Sequence, residues 1–191
     1  LSNLEWRRAE KTFSVEKTDT TDENVDKVRN AMIQAPSSFG IQPYHIVQVK
    51  SDEMKRRLVG VSYGQKQVAE CHTLFILCAR TDIPARVERY LREAQIPDAY
   101  HDFMRSSLSA KDEQWAAHQA YIALGFGLAA CAELKLASCP MEGFESEKVK
   151  EVLELPPHFQ PYVYLAVGEK SETASPYPRF RFRVDDMVTL K

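Results

Sequence analysis

Val25, Val28, Met32 and Ala35 recur at helical spacing and Pro36 closes the stretch, so residues 22–34 are expected to form an amphipathic helix. Its start signal is Thr21 ahead of Asp22 and Glu23, with Asn24 where a full capping box would have Glu. The next nine residues, PSSFGIQPY, hold two prolines, two serines and a glycine and read as a structured loop. HIVQVK alternates and is rich in β-branched residues, which predicts a strand at about 44–50, followed by short helices at 52–59 and 64–71. TLFILCA (73–79) does not alternate at all. Such a run fits a strand covered on both faces.

Further along, 84–107 is helical in type but interrupted by Pro97, and 112–134 is the longest expected helix. The latter is apolar on nearly every face, which requires burial or a partner chain. Gly125 and Gly127 cost it helix propensity; either a second backbone approaches closely there or two helix glycines are simply tolerated. A loop is expected at 136–144, a helix at 146–153 and a strand at 162–167, with RFRFRV as a last alternating strand. A short helix at 3–9 opens the chain and a loop-like stretch follows at 14–22. This mixed order gives α+β. The last twenty-odd residues contain Phe180, Phe182, Val184, Met187, Val188 and Leu190, too apolar for a free tail. An arm packed across a second subunit would solve both this and the over-apolar helix.

At 191 residues, one domain over 1–191 is expected, with the arm from about 170. Twenty-five basic residues against 27 acidic ones leave a net charge of -2, so nothing in the bulk charge points to nucleic acid or an anionic membrane. Cys71, Cys78, Cys131 and Cys139 stand singly without metal-ligand spacing; the first three lie in mainly apolar surroundings and are expected to be buried, reduced thiols. With no long apolar span and no secretory core at the start, a cytoplasmic location is expected. The chain does not begin with Met, which leaves a preceding targeting segment open.

Two basic clusters carry the candidate chemistry. Arg7, Arg8 and Lys11 lie near the start, and Arg179, Arg181 and Arg183 alternate near the end. In a strand the second set would face one way and suit a phosphate, or else form a basic edge that discourages aggregation. Phe180 and Phe182 would face the other way, which argues against a nucleic-acid surface. Ser37 and Ser38 could serve a polar ligand or only their own turn. His118 reads more readily as a packing histidine than a catalyst, no metal set is visible, and neither a nucleophile elbow nor a glycine-rich nucleotide loop occurs.

Taken in order, these pieces resemble the FMN-dependent, oxygen-insensitive nitroreductase family over nearly the whole chain. WRRAEKTF is similar to the family's Arg-Arg/His-Ser-x-Arg/Lys-x-Phe opening, which implies Arg7 and Arg8 at the FMN phosphate and Lys11 at the flavin O2 side; Ala9 stands where serine is common. PSSFGIQPYHI resembles Pro-Ser-Ser/Ala-x-Asn-x-Gln-Pro-Trp, which borders the flavin from the neighbouring subunit, and carries over Pro36, Ser37, Ser38, Gln42 and Pro43, with Gly40 for Asn and Tyr44 for Trp. GQKQVAEC looks like Asn-x-x-Lys/Gln, implying Gln67 at the pyrimidine edge and Gly64 for Asn. CPMEGF is similar to Pro-x-x-Gly-Phe, implying ring contacts from Pro140, Met141, Glu142 and Gly143, with the Glu142 N–H near flavin N5. RFRFRV resembles a Lys/Arg-x-Arg phosphate clamp, carried over as Arg181 and Arg183; Arg179 has no counterpart.

The resemblance implies a central, mainly antiparallel sheet flanked by helices, in a domain-swapped homodimer that exchanges its C-terminal arms. FMN would be the cofactor, with NAD(P)H as donor and a nitroaromatic, quinone or similar aromatic acceptor using the same ring face in turn, a ping-pong scheme. Lys11 would stabilise charge at the reduced N1/O2 edge, and no obligatory acid or base is implied. Tyr90, Tyr100 and Phe103 either roof the ring or pack between helices. The rival reading is a flavin-binding or redox-sensing protein without turnover, which the changes at Ala9, Gly40 and Gly64 make reasonable.

Overall fold

The computed structural model describes residues 2–14, 19–172 and 178–191, with the side chains of 19–21 outside that description. Four antiparallel strands form one sheet in the order β1-β2-β4-β3: β1 is Tyr44–Val49, β2 Thr73–Arg80, β3 Ala137–Met141 and β4 Phe159–Gly168. Helices flank it: α1 (Ser2–Trp6), α2 (Asp19–Ile33), α3 (Asp52–Gly60), α4 (Gln67–Glu70), α5 (Ile83–Glu93), α6 (His101–Leu108), α7 (Glu113–Glu133), α8 (Ser146–Leu153) and α9 (Val184–Met187). The expected α+β layout is present.

The apolar run at 73–79 explains how the layers are joined. Leu74, Ile76 and Cys78 of β2 face a core with Leu58 of α3 and Val149 of α8, while Phe75 and Leu77 face one with Val28 of α2 and Ala123 of α7. β4 divides in the same way, with Tyr164 and Ala166 on the first side and Val163, Leu165 and Val167 on the second. Period-two alternation is therefore present in direction but absent in polarity, because both faces are dry. All four cysteines are free and buried. Burial pushes the Cys78 and Cys131 thiols up to about 12.

Several boundaries and two elements differ from expectation. Residues 137–141 form a strand where a loop was expected; Pro140 is tolerated because β3 is at the sheet edge. β4 begins at Phe159, three residues before the expected 162, and carries Pro161 at a register shift opposite Cys78, where a missing N–H costs no regular ladder bond. α2 begins at Asp19 and not 22. The expected loop at 14–22 and the linker beyond Gly168 lie partly outside the described residues. RFRFRV is not a strand: 179–183 has no ladder partner among the described residues, and α9 follows.

The two glycines of α7 do different jobs. A Cβ on Gly127 would come within 2.8 Å of Met32 Cγ and 3.0 Å of Leu165 Cδ2, so the missing side chain seats α7 on α2 and β4. A Cβ on Gly125 would meet nothing within 4 Å. Gly127→Val is expected to lower stability by about 1–3 kcal/mol in chemical denaturation through overpacking. A thiol reagent should label the native protein slowly and reach all four cysteines on unfolding; rapid native labelling would contradict the buried thiols.

Candidate functional site

Residues 7–14 leave α1 and are fastened along the sheet edge. The Glu10 N–H donates to Ser138 O at 3.0 Å, Ala9 bridges to Ser138 in parallel, and the Ser14 N–H donates to Glu169 O at 3.1 Å. This anchoring leaves Arg7, Arg8 and Lys11 along one wall of a cleft of about 340 Å³ whose other wall is Pro178, Arg179, Phe180 and Arg181. The two basic clusters, at opposite ends of the sequence, thus meet. Among the described residues, no carboxylate lines this cleft. Glu10 is buried beneath it, 4.0 Å from the Arg8 guanidinium.

Arg7 registers the crowding. Its Nη1 is buried and has no hydrogen-bond partner among the described residues, and burial, followed by the charges of Arg181 and Arg179, lowers its affinity for its proton from the ordinary arginine value. A multiply charged anion seated among these side chains would meet the orphaned donor and relieve the repulsion. The donor set fits a phosphate monoester in charge and in chemistry, and Ala9 adds no hydroxyl to it.

The structure separates Arg181 from Arg183, which the resemblance had paired as a phosphate clamp. Arg181 and Arg179 line the cleft, but Arg183 does not. Arg183 caps α9: its N–H donates to Asp186 Oδ2 at 3.3 Å and its guanidinium lies 3.6 Å from Asp185. Without a strand, the expectation that all three arginines share one face loses its basis. Alternation made Arg179 visible in the sequence; the resemblance alone passed over it.

Beside the cleft, β3 delivers Pro140, Met141, Glu142 and Gly143. Gln67 is linked to this segment indirectly, donating to Gln65 Oε1 at 3.1 Å while Gln65 donates to Gly143 O at 2.7 Å. A Cβ on Gly143 would come within 2.6 Å of Gln65 Nε2, so glycine there admits the amide. Gln65 was not singled out in the sequence, nor was Tyr121, whose hydroxyl donates to Glu142 Oε1 at 2.6 Å. Burial, then Glu142, raises the phenol's proton affinity and keeps it a donor.

The loop holding Pro36, Ser37, Ser38, Gln42 and Pro43 does not line the basic cleft of its own chain. The Ser37 hydroxyl accepts from the Gln42 N–H at 2.9 Å, the Ser38 N–H donates to Gln119 Oε1 at 2.9 Å, and the Gln42 amide donates to Ile33 O at 2.7 Å. Ser37 therefore does the local turn work that was one of its two expected roles. Phe39 is held at φ 56° and is exposed, its ring 6.2 Å from that of Phe103, also exposed. Tyr90 instead packs under Gly40, where a Cβ would lie 3.1 Å from its hydroxyl. His118 is exposed on α7, in a second cleft with Tyr121, Glu142 and Tyr162. Among the described residues there is no group of three or more His, Cys, Asp or Glu placed to hold a metal, and no helix long and apolar enough to cross a membrane.

Known proteins share this arrangement of chain. A protein of Thermus thermophilus named NADH dehydrogenase is 31% identical over 171 residues, covering 85% of this chain and 82% of its own. A nitroreductase family protein of Streptococcus pneumoniae superposes with a TM-score of 0.85 at 23% identity, covering 100% of this chain and 98% of its own. A structure from Exiguobacterium sibiricum, solved in complex with FMN, superposes with a TM-score of 0.82 at 15% identity over 100% of this chain and 96% of its own. The model of the Nitroreductase family matches residues 4–169, and with the fold and the relatives in agreement the chain belongs to that family of oxidoreductases.

Proposed function

We propose that the protein is an FMN-dependent oxidoreductase that takes reducing equivalents from NAD(P)H and delivers them to a nitroaromatic, quinone or similar acceptor in two successive half-reactions. The observation that carries this reading is the meeting of Arg7, Arg8, Lys11, Arg179 and Arg181 in one cleft that no carboxylate lines among the described residues. A fold shared with the FMN complex from Exiguobacterium sibiricum supports it. Bound FMN would supply the hydride chemistry.

The chain's own groups supply position and field. Arg7, Arg179 and Arg181 hold the phosphate by charge-assisted bonds, and Arg8, shared with Glu10, contributes less. Lys11 places positive charge at the pyrimidine edge, where reduction adds negative charge. Gln65 and Gln67 brace the Gly143 carbonyl, and Tyr121 steadies Glu142, so the backbone N–H of Glu142 would be offered to a bound flavin from a braced segment. Pro140 and Met141 carry that turn on β3. No side chain of this set needs to exchange a proton with the donor.

The site belongs to a homodimer in this reading, with the whole of 1–191 as one FMN-binding unit. Phe180, Phe182, Val184, Met187, Val188 and Leu190 of the arm are exposed, as are Ile122 and Phe126 of α7. Each such side chain gains about 1.5–3 kcal/mol on burial, enough in sum to drive exchange of arms between subunits. β1 has no strand on its outer edge among the described residues, so its backbone groups are open to a partner segment. Pro36, Ser37, Ser38, Gln42 and Pro43 would then border the partner's flavin, and Phe39 and Phe103 would lie at its mouth.

Purified protein incubated with FMN and freed of excess ligand should show a flavin spectrum at about one flavin per chain. NADH or NADPH should bleach it and a quinone restore it; a bound flavin that neither nucleotide reduces would favour the redox-sensing alternative. Light scattering should give twice the chain mass. Arg179→Ala and Arg181→Ala should each weaken FMN roughly 10- to 100-fold while leaving riboflavin little affected, and Arg183→Ala should stay near wild type. A strong loss confined to Arg183→Ala would restore the clamp that the sequence suggested.

A further inference from the structure

Cys139 is the middle residue of β3, paired with Ala166 and buried in the core that includes Ile76 and Tyr164. Its sulfur accepts a hydrogen bond from the Lys11 ammonium at 3.4 Å. Among the described residues this is the ammonium's one side-chain hydrogen bond. Both ends of the contact are anchored: Cys139 by the β3–β4 ladder, and the chain beside Lys11 by the bond from the Glu10 N–H to Ser138 O. The nearest candidate counter-ion in sequence, Glu10, lies with Arg8.

The kind of acceptor matters. A carboxylate at this position would hold the ammonium firmly and cancel its charge, whereas an alkyl side chain would leave the charge undirected. A thiol is a weak, neutral acceptor, and it does neither. Burial pushes the Cys139 thiol up, with Lys11 opposing, so the sulfur does not become a counter-ion.

We propose that Cys139 is a positioning residue, which orients the Lys11 ammonium along the cleft wall while leaving its charge available to the ligand. This rests on the cleft being the FMN site. It assigns a role to a cysteine that otherwise reads only as core packing, and it makes the sulfur act solely through Lys11.

A double-mutant cycle on the full chain tests it, with Cys139→Val, Lys11→Met, the double variant and Cys139→Ser, reading FMN affinity by quenching of flavin fluorescence and competition by inorganic pyrophosphate. Cys139→Val should weaken FMN about 3- to 10-fold, Cys139→Ser should stay near wild type, and the valine should add nothing once Lys11 is methionine. Cys139→Ala repeats the comparison if the branched side chain does not fold. A valine effect that persists in the Lys11→Met background would mean packing alone and overturn the proposal. So would unchanged affinity in Cys139→Val while the wild type binds one FMN per chain, with the FMN assignment left standing. Wild-type protein that binds neither FMN nor pyrophosphate would remove both.

Discussion

Repulsion among cations is the constraint around which this chain is arranged. Arg7, Arg8, Lys11, Arg179 and Arg181 line one cleft, and the buried Nη1 of Arg7 has no hydrogen-bond partner among the described residues. Such a cluster has to be imposed by backbone held elsewhere, because the side chains themselves gain by separating. The imposing structure is the edge of the sheet: β3 pairs with β4 on one side and receives the Ala9–Glu10 backbone on the other. Glu10, turned inward beneath Arg8, relieves part of the charge without entering the cleft.

The departures from the family pattern look different once backbone angles are known. Gly40 and Gly64, each standing where asparagine is usual, both have φ of +71°. Glycine and asparagine are the residues that adopt this left-handed conformation most readily, so each exchange keeps the turn and gives up only a side-chain amide. At Gly40 the space is also limited by Tyr90. Ala9 is another case, since it bridges to β3 through its backbone and only the hydroxyl common in the family is lost. The three changes therefore remove side-chain contacts while sparing the loops that carry them.

Elements with local cues were legible in the sequence. β2 was readable because burial on both faces erases polar alternation, and α7 because its apolar residues run on for more than five turns after Asp112, whose side chain accepts from the Trp115 N–H at 2.8 Å. β3 was not, since Pro140 and the nearby Gly143 argue locally for a loop and only pairing with β4 overrides them. The same limit explains the arm: RFRFRV alternates as a strand should, yet a strand exists only where a neighbour supplies hydrogen bonds. For the site, the sequence identified the basic residues at both ends, but Gln65 and Tyr121 act by contact with residues about 80 and 20 positions away and carry no local signature.

Because the two walls of the cleft come from opposite ends of the chain, the cleft exists only after the sheet edge has formed and the arm has been brought back to it. An anion that binds the assembled cleft and not the unfolded chain must, by linkage, stabilise every contact needed to assemble it. These include the β3–β4 ladder, the Glu10–Ser138 bond and the return of Arg179 and Arg181. Repulsion among the cations of the cleft works in the opposite direction and falls on the arm, whose described residues 178–191 are all exposed. Binding of an anion in the cleft would therefore be linked to placement of the C-terminal arm, whose apolar residues Phe180, Phe182, Val184, Met187, Val188 and Leu190 are exposed.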